Sequence, residues 1–283
     1  MSARSVIRRL LPRCEGSLPS RPATLVRRIA ASFLAAMGTV VVGAAPAAHA
    51  YVRARTPDTL VPLFWTDPRK VLEVARPPDG LGISDTDLRI SAQLAAEAWS
   101  YPALACTGIS LRLSTTSTSS QLAGRDRRNR IIMRTGNWCR DPVAMTHCHD
   151  PAAVATTTLF SVSRPGQVTD GEIMEADIEV NATGPFLWGV IPAGASGRDF
   201  EDVYDLPSVL THEMGHFVGL DHTCLSPQAP PLVDDQGTPV PSCSSIPPAS
   251  QSLIEEATMY PFMTPIDVKL RTLTEDDARG ACE

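Results

Sequence analysis

The sequence predicts an α+β layer structure. Three observations predict it. Strand-like runs and one helix come first, more strands follow, and helical patterns close the chain, which argues against a regularly alternating parallel sheet. Glu172–Asn181 alternates, with Met174, Ala176, Ile178 and Val180 on one face and Glu175, Asp177, Glu179 and Asn181 on the other. From residue 205 the spacing turns helical, with Leu210, Met214 and Phe217 at i, i+4 and i+7.

Composition bounds the function. The 283 residues carry 25 Lys+Arg against 31 Asp+Glu, a net charge of −6, with 43% hydrophobic residues. Those are globular proportions. A net acidic chain is a poor nucleic-acid binder, because phosphate binding needs surplus cations. Lys70 and Lys269 are the only lysines, a usage typical of a GC-rich, bacterial genome.

Residues 1–50 stand apart, with seven arginines and one acid, Glu15. Arg27-Arg28, the apolar run Ile29–Ala48 and the close Ala48-His49-Ala50 are the parts of an export signal. Cleavage after Ala50 is expected, leaving 51–283 as one domain with 18 basic residues against 30 acids. An uncleaved anchor is the alternative, weakened by Gly38, Gly43 and Pro46. The expected product is secreted and extracellular, or periplasmic in a Gram-negative source, with no stable membrane anchor and a monomeric state. Cleavage would remove Cys14 and leave six cysteines, as suits an oxidising compartment. Fifteen connectivities exist. Sequence proximity pairs Cys139 with Cys148 and Cys224 with Cys243, leaving Cys106 with Cys282.

The elements follow in order. Leu60–Thr66 and Val71–Ala75 suit strands. Pro77-Pro78-Asp79-Gly80 is a turn. Ser84 and Asp87 form a capping box, and Leu88, Ile90, Leu94, Ala95 and Trp99 suit one face of the helix behind it, which Pro102 would end. Ile109–Leu113, Ile131–Arg134 and Ala155–Val162 read as strands, and Arg125–Arg130 as a solvated charged turn. Glu172–Asn181 reads as a half-exposed strand.

Chemistry concentrates in residues 205–223. Asp205 can cap a helix, and Pro207 is tolerated in its first turn. His212 and His216 lie one turn apart, away from the apolar stripe, where two imidazoles can grip one metal ion. Gly219 allows a left-handed exit that swings His222 back towards them. Three neutral imidazoles leave the fourth position of a tetrahedral zinc open to water. Glu213, rotated about 100° around the helix, is near the metal without ligating it. It can act as general base towards a water whose pKa zinc lowers to about 7. The histidines of a bare surface helix would not need this spacing.

The run His212-Glu213-x-x-His216-x-x-Gly219-x-x-His222 is the metzincin pattern. With Asp205-Leu206-x-Ser208-Val209, Gly215 and Leu220-Asp221, the segment resembles the zinc helix of the matrixin branch of that family. Ala257-Thr258-Met259-Tyr260-Pro261 resembles the matrixin Met-turn, so Met259 is expected as the apolar base beneath the ligands, Met263 being the wrong-register alternative. Leu273-Thr274-Glu275-Asp276-Asp277-x-x-Gly280 resembles the start of the family's final helix. The resemblance implies a metzincin (zincin) catalytic domain with a twisted, mixed five-stranded sheet, about three helices and zinc at the floor of a cleft. It implies a zinc endopeptidase acting on protein or peptide substrates. The alternatives are an exported metal-binding or adhesion module with vestigial catalysis, and a narrow peptidase acting on one partner or on cell-wall peptides.

The chain departs from the family pattern in three places. Residues 223–257 are a long insertion with Cys224 and Cys243, either a loop that shapes specificity or a surface excursion. Pro12-Arg13-Cys14 resembles a propeptide cysteine switch but lies ahead of the signal core, and reads as coincidence. His147, His149 and Asp150 are candidates for a second metal, with a Cys148 disulfide the competing reading. Calcium is a further candidate cofactor at Asp199, Glu201, Asp202 and Asp205, whose plainer reading is favourable charge at a helix start.

Overall fold

Helix starts are fixed by side chains that the sequence puts in place. Ser84 and Asp87 cap each other reciprocally, as do Thr274 and Asp277, and Asp205 accepts from the Ser208 N–H. Each cap satisfies backbone donors that a helix cannot pair itself.

The computed structural model describes residues 49–283 except 101–102, 119–120, 122, 142, 196–198 and 227–228. Residues 1–48 of the expected export signal, with Cys14 among them, and the helix-ending role expected of Pro102 lie outside the described residues.

In chain order the elements are β1 (Val52–Arg53), β2 (Arg69–Val74), α1 (Asp85–Ala98), β3 (Ser110–Leu113) and β4 (Asn129–Arg134). A hairpin of β5 (Cys139–Asp141) and β6 (Thr146–Cys148) precedes β7 (Ala155–Ser161) and β8 (Ile173–Asn181). Then come β9 (Leu187–Gly189), β10 (Val203–Asp205), α2 (Leu206–Phe217) and β11 (Leu220–Asp221). The chain closes with α3 (Gln251–Glu256), a 3₁₀ turn at Lys269–Arg271, and α4 (Glu275–Cys282). This is an α+β fold around a five-stranded mixed sheet of order β3-β2-β4-β8-β7. Its first four strands pair in parallel, and β7 runs antiparallel to β8 at the edge. Leu60–Thr66 does not extend the sheet and makes only isolated bridges, at Pro62 and Phe64.

One core fills the space between the sheet and helices α1 and α2. Leu72, Val74, Ile131, Ile178 and Val180 meet Leu88, Trp99, Leu210, Met214 and Phe217 there, all essentially buried. The buried face of α1 is Leu88, Ala92, Ala95, Ala96 and Trp99, whereas Ile90 and Leu94 stand in solvent. Small alanines let α1 approach α2 closely, and positions 90 and 94 turn the other way on the wheel.

The polar face of β8 is not the half-exposed surface that its alternation predicts. Glu175, Asp177, Glu179 and Asn181 are all buried. The Gly124–Arg130 segment folds over that face and donates backbone N–H groups to it, from Gly124 and Arg130 to Asp177 and from Arg127 to Glu175. Arg134 pairs with Glu179. The polar side of the strand is therefore packed against donors rather than water.

All three expected disulfides are present: Cys106–Cys282, Cys139–Cys148 and Cys224–Cys243. Such a set is compatible with an extracellular protein. Among the described residues no helix is long and apolar enough to cross a membrane. The short helix α3, inside the insertion, was not visible as a periodic run.

Candidate metal centre

Helix α2 presents His212, Glu213 and His216, all held by its buried stripe. Val218 closes the helix, and Gly219 then takes φ +105°, a left-handed conformation that a side chain would oppose. Strand β11 follows and pairs antiparallel with β1, Val52 opposite Asp221. The Ala54 N–H donates to the Gly219 carbonyl. That clamp on the turn is what carries His222 back over the helix.

The three imidazoles converge. His222 Nε2 stands 3.2 Å from His212 Nε2 and 3.1 Å from His216 Nε2. His212 Nδ1 lies 2.7 Å from the Thr258 carbonyl and His216 Nδ1 2.9 Å from the Leu220 carbonyl. A carbonyl can only accept, so both Nδ1 atoms carry a proton, and in the neutral ring each Nε2 then keeps its lone pair. A single His222 proton cannot satisfy both. A shared cation can: three corners of a tetrahedral site with metal–nitrogen bonds of 2.0–2.1 Å lie about 3.3 Å apart. Among the described residues this is the only group of three or more potential ligands that comes together.

Burial, reinforced by His216, pushes His212 down to about 3 and holds His222 well below the ordinary histidine value. Both are therefore neutral, the form that binds metal. Glu213 is buried beside them, and burial raises its carboxyl. Its Oε2 accepts from the Thr157 hydroxyl at 2.6 Å. Thr157 escaped the sequence reading, because a threonine in a strand carries no mark of the helix it will face.

Met259 is fully buried under the helix. A Cβ added at Gly215 would come within 2.2 Å of Met259 Sδ, so only glycine lets the helix rest on it. Met263 is packed against the core's margin and not in that position. The turn at 257–261 is tied on both sides. Thr258 and Met259 donate their N–H groups to Asp277, while the Met259 carbonyl accepts from Thr223 N–H. One carboxylate thus caps α4 and fixes the segment whose Thr258 carbonyl orients His212.

Two cavities flank the triad along β7. One, of about 350 Å³, has Val209, Tyr204, Glu213, Pro261, Met263 and Leu270 among its walls. The other, of about 340 Å³, is bounded by Thr156, Thr157, Leu159, His216 and Asp221. From the inserted loop 225–242 only Ser226, among the described residues, reaches the first cavity. The loop's charged contacts run instead to the start of the described residues, Asp235 to Arg55 and Asp234 to His49, a residue ahead of the expected cleavage point.

The other candidate ligands do not gather. His147 and Asp150 are exposed, His149 lies 4.0 Å from Glu179, and Cys148 is spent on its disulfide. Asp205 is committed to Ser208 and Arg271, and Asp199, Glu201 and Asp202 are exposed.

Family models were compared with the chain and none matches; no curated protein matches it either.

Proposed function

We propose that the chain is an exported zinc-dependent endopeptidase of the metzincin type, matrixin-like in its zinc helix and Met-turn. The observation that carries this reading is the convergence of three imidazole Nε2 atoms, 3.1 and 3.2 Å apart, beside the buried carboxylate of Glu213. His212, His216 and His222 would hold the ion. Zinc, when bound, supplies a Lewis acid and lowers the pKa of water.

The rest of the chemistry belongs to the chain. Glu213, raised by burial, is suited to take a proton from the attacking water and hand it to the departing amine. Thr157 holds its Oε2. Strand β7 ends the sheet, so its outer backbone edge is free to pair with an extended peptide, a recognised mode of substrate capture. The cavities on either side of the triad would take side chains from both sides of the cut bond, which favours an endopeptidase. The first cavity's walls suit a bulky apolar side chain.

Casein hydrolysis by the purified protein, with and without a chelator, tests the proposal. Chelator-sensitive cleavage restored by zinc is expected. Zinc binding without any cleavage would leave the metal-bearing adhesion module instead.

A further inference from the structure

The outer face of β7 carries a second feature, some way from the triad. Phe160 is nearly buried because two guanidiniums cover it: Arg125 at 5.3 Å from the ring centroid and Arg140 at 4.7 Å. Both arginines are exposed, as is Arg127. Among the described residues none of the three is in an ion pair, although Arg128 and Arg130 beside them pair with Glu73 and Asp126.

Among the described residues the nearby acids form no ion pair with this group, although Arg140 favours the charged form of the buried Glu179. Glu175 accepts from the Arg127 backbone and Asp177 from those of Gly124 and Arg130. These buried carboxylates anchor the loop that displays Arg125 and Arg127. Arg140 sits on hairpin β5–β6, which the Cys139–Cys148 disulfide closes and Arg134 holds through the Asn137 and Cys139 carbonyls. Cations are thus presented from two independently fastened segments, in a domain whose balance is strongly acidic. Beside the Arg125 side of this group, and not reached by Arg140, lies a small cavity of about 190 Å³ lined by Arg125, Arg127, Phe160, Ser161, the half-exposed Met174 and the Glu175 carboxylate.

We infer that Arg125, Arg140 and Phe160 form a subsite for an acidic side chain of the peptide substrate. The inference rests on the peptidase reading. A peptide pairing antiparallel to β7 would run from the Ser161 end towards Ala155, so its N-terminal half passes Phe160. Thr157, beside Glu213, and Phe160 are three residues apart, about 10 Å of strand. The acidic residue should therefore lie about three to five positions before the cut bond. An aspartate or glutamate there would meet two exposed guanidiniums over an apolar floor, with energies that salt screens.

The test uses three fluorogenic peptides that differ only at those positions, carrying glutamate, alanine or lysine. With the full protein at low salt, the glutamate peptide should exceed the alanine peptide in kcat/KM by about tenfold, and the gap should shrink with salt. In R125A/R140A the ratio of glutamate to alanine peptide should fall to about one. Equal cleavage of all three peptides by the unaltered protein, or a preference that survives in the double variant, would overturn the subsite. Cleavage of none would instead count against the peptidase reading. The subsite is then judged by anisotropy: Glu213→Ala protein should bind the labelled glutamate peptide, and adding R125A/R140A should weaken that at least fivefold. Binding indifferent to the arginines refutes it.

Discussion

The Thr157 hydroxyl donates to Glu213 Oε2 at 2.6 Å, with the Glu213 main-chain carbonyl 3.0 Å away as a second acceptor. One side chain of the edge strand thereby fixes both the backbone and the carboxylate of the proposed general base. A hydrogen bond to a charged group is worth about 1.5–3 kcal/mol. Thr157→Val should lower kcat at least about tenfold with a smaller effect on KM, and Thr157→Ser should recover most of the loss. Steady-state kinetics on one peptide checks this. Equal losses in Val and Ser variants would reduce Thr157 to a packing residue.

Gly215→Ala should destabilise the domain by about 1–3 kcal/mol, the usual cost of overpacking a core. The new methyl would meet Met259 Sδ at 2.2 Å and Trp99 at 2.9 Å. The helix must lift or the Met-turn must shift, so metal affinity should fall together with Tm. Thermal unfolding and a metal titration measure the two. An unchanged Tm would mean that Met259 does not support the helix as described.

Arg271 pairs with the fully buried Asp205 and also donates to the Ile191 carbonyl at 2.7 Å. The pair ties the start of α2 to the segment after the Met-turn, where Leu270 walls the larger cavity. Arg271→Met strands a buried carboxylate and should cost about 3–5 kcal/mol. Chemical denaturation gives the number; a cost below about 1 kcal/mol would show the carboxylate is adequately held by Ser208 and the Ile191 N–H alone.

Burial pushes Asp177 up to about 7, against the pull of its two backbone donors. The ordinary value is 3.8. A folded value above the unfolded one means that the unfolded chain releases its proton first. Asp177 therefore costs stability as pH rises through that window, and the cost is complete above about 7. Tm curves from about pH 4 to about pH 8 for the protein and for Asp177→Ala should draw apart in the variant's favour as pH rises. Parallel curves would contradict this.

What the sequence made legible is what local geometry dictates. The i, i+4 histidines, the Gly219 exit and the capping residues depend on fixed helical spacing, and they reappear where that spacing puts them. The cysteine pairs also matched, two of them being close in sequence. The failures are tertiary. The acids of β8 alternate like a solvated face, but a loop about fifty residues earlier supplies their donors. Ile90 and Leu94 counted as apolar face residues, whereas the alanines of α1 decide how near α2 can come. Thr157 and Arg271 act through contacts 56 and 66 residues away, which no local pattern encodes.

The proposed activity is hydrolysis at a three-histidine metal site with Glu213 as base. The most direct measurement is metal content and peptide hydrolysis of Glu213→Ala beside the unaltered protein. One zinc per chain and an unchanged fold are expected in both, with turnover lost only in the variant. Turnover in the variant equal to that of the unaltered protein, or an unaltered protein that hydrolyses peptides without any metal, would contradict it.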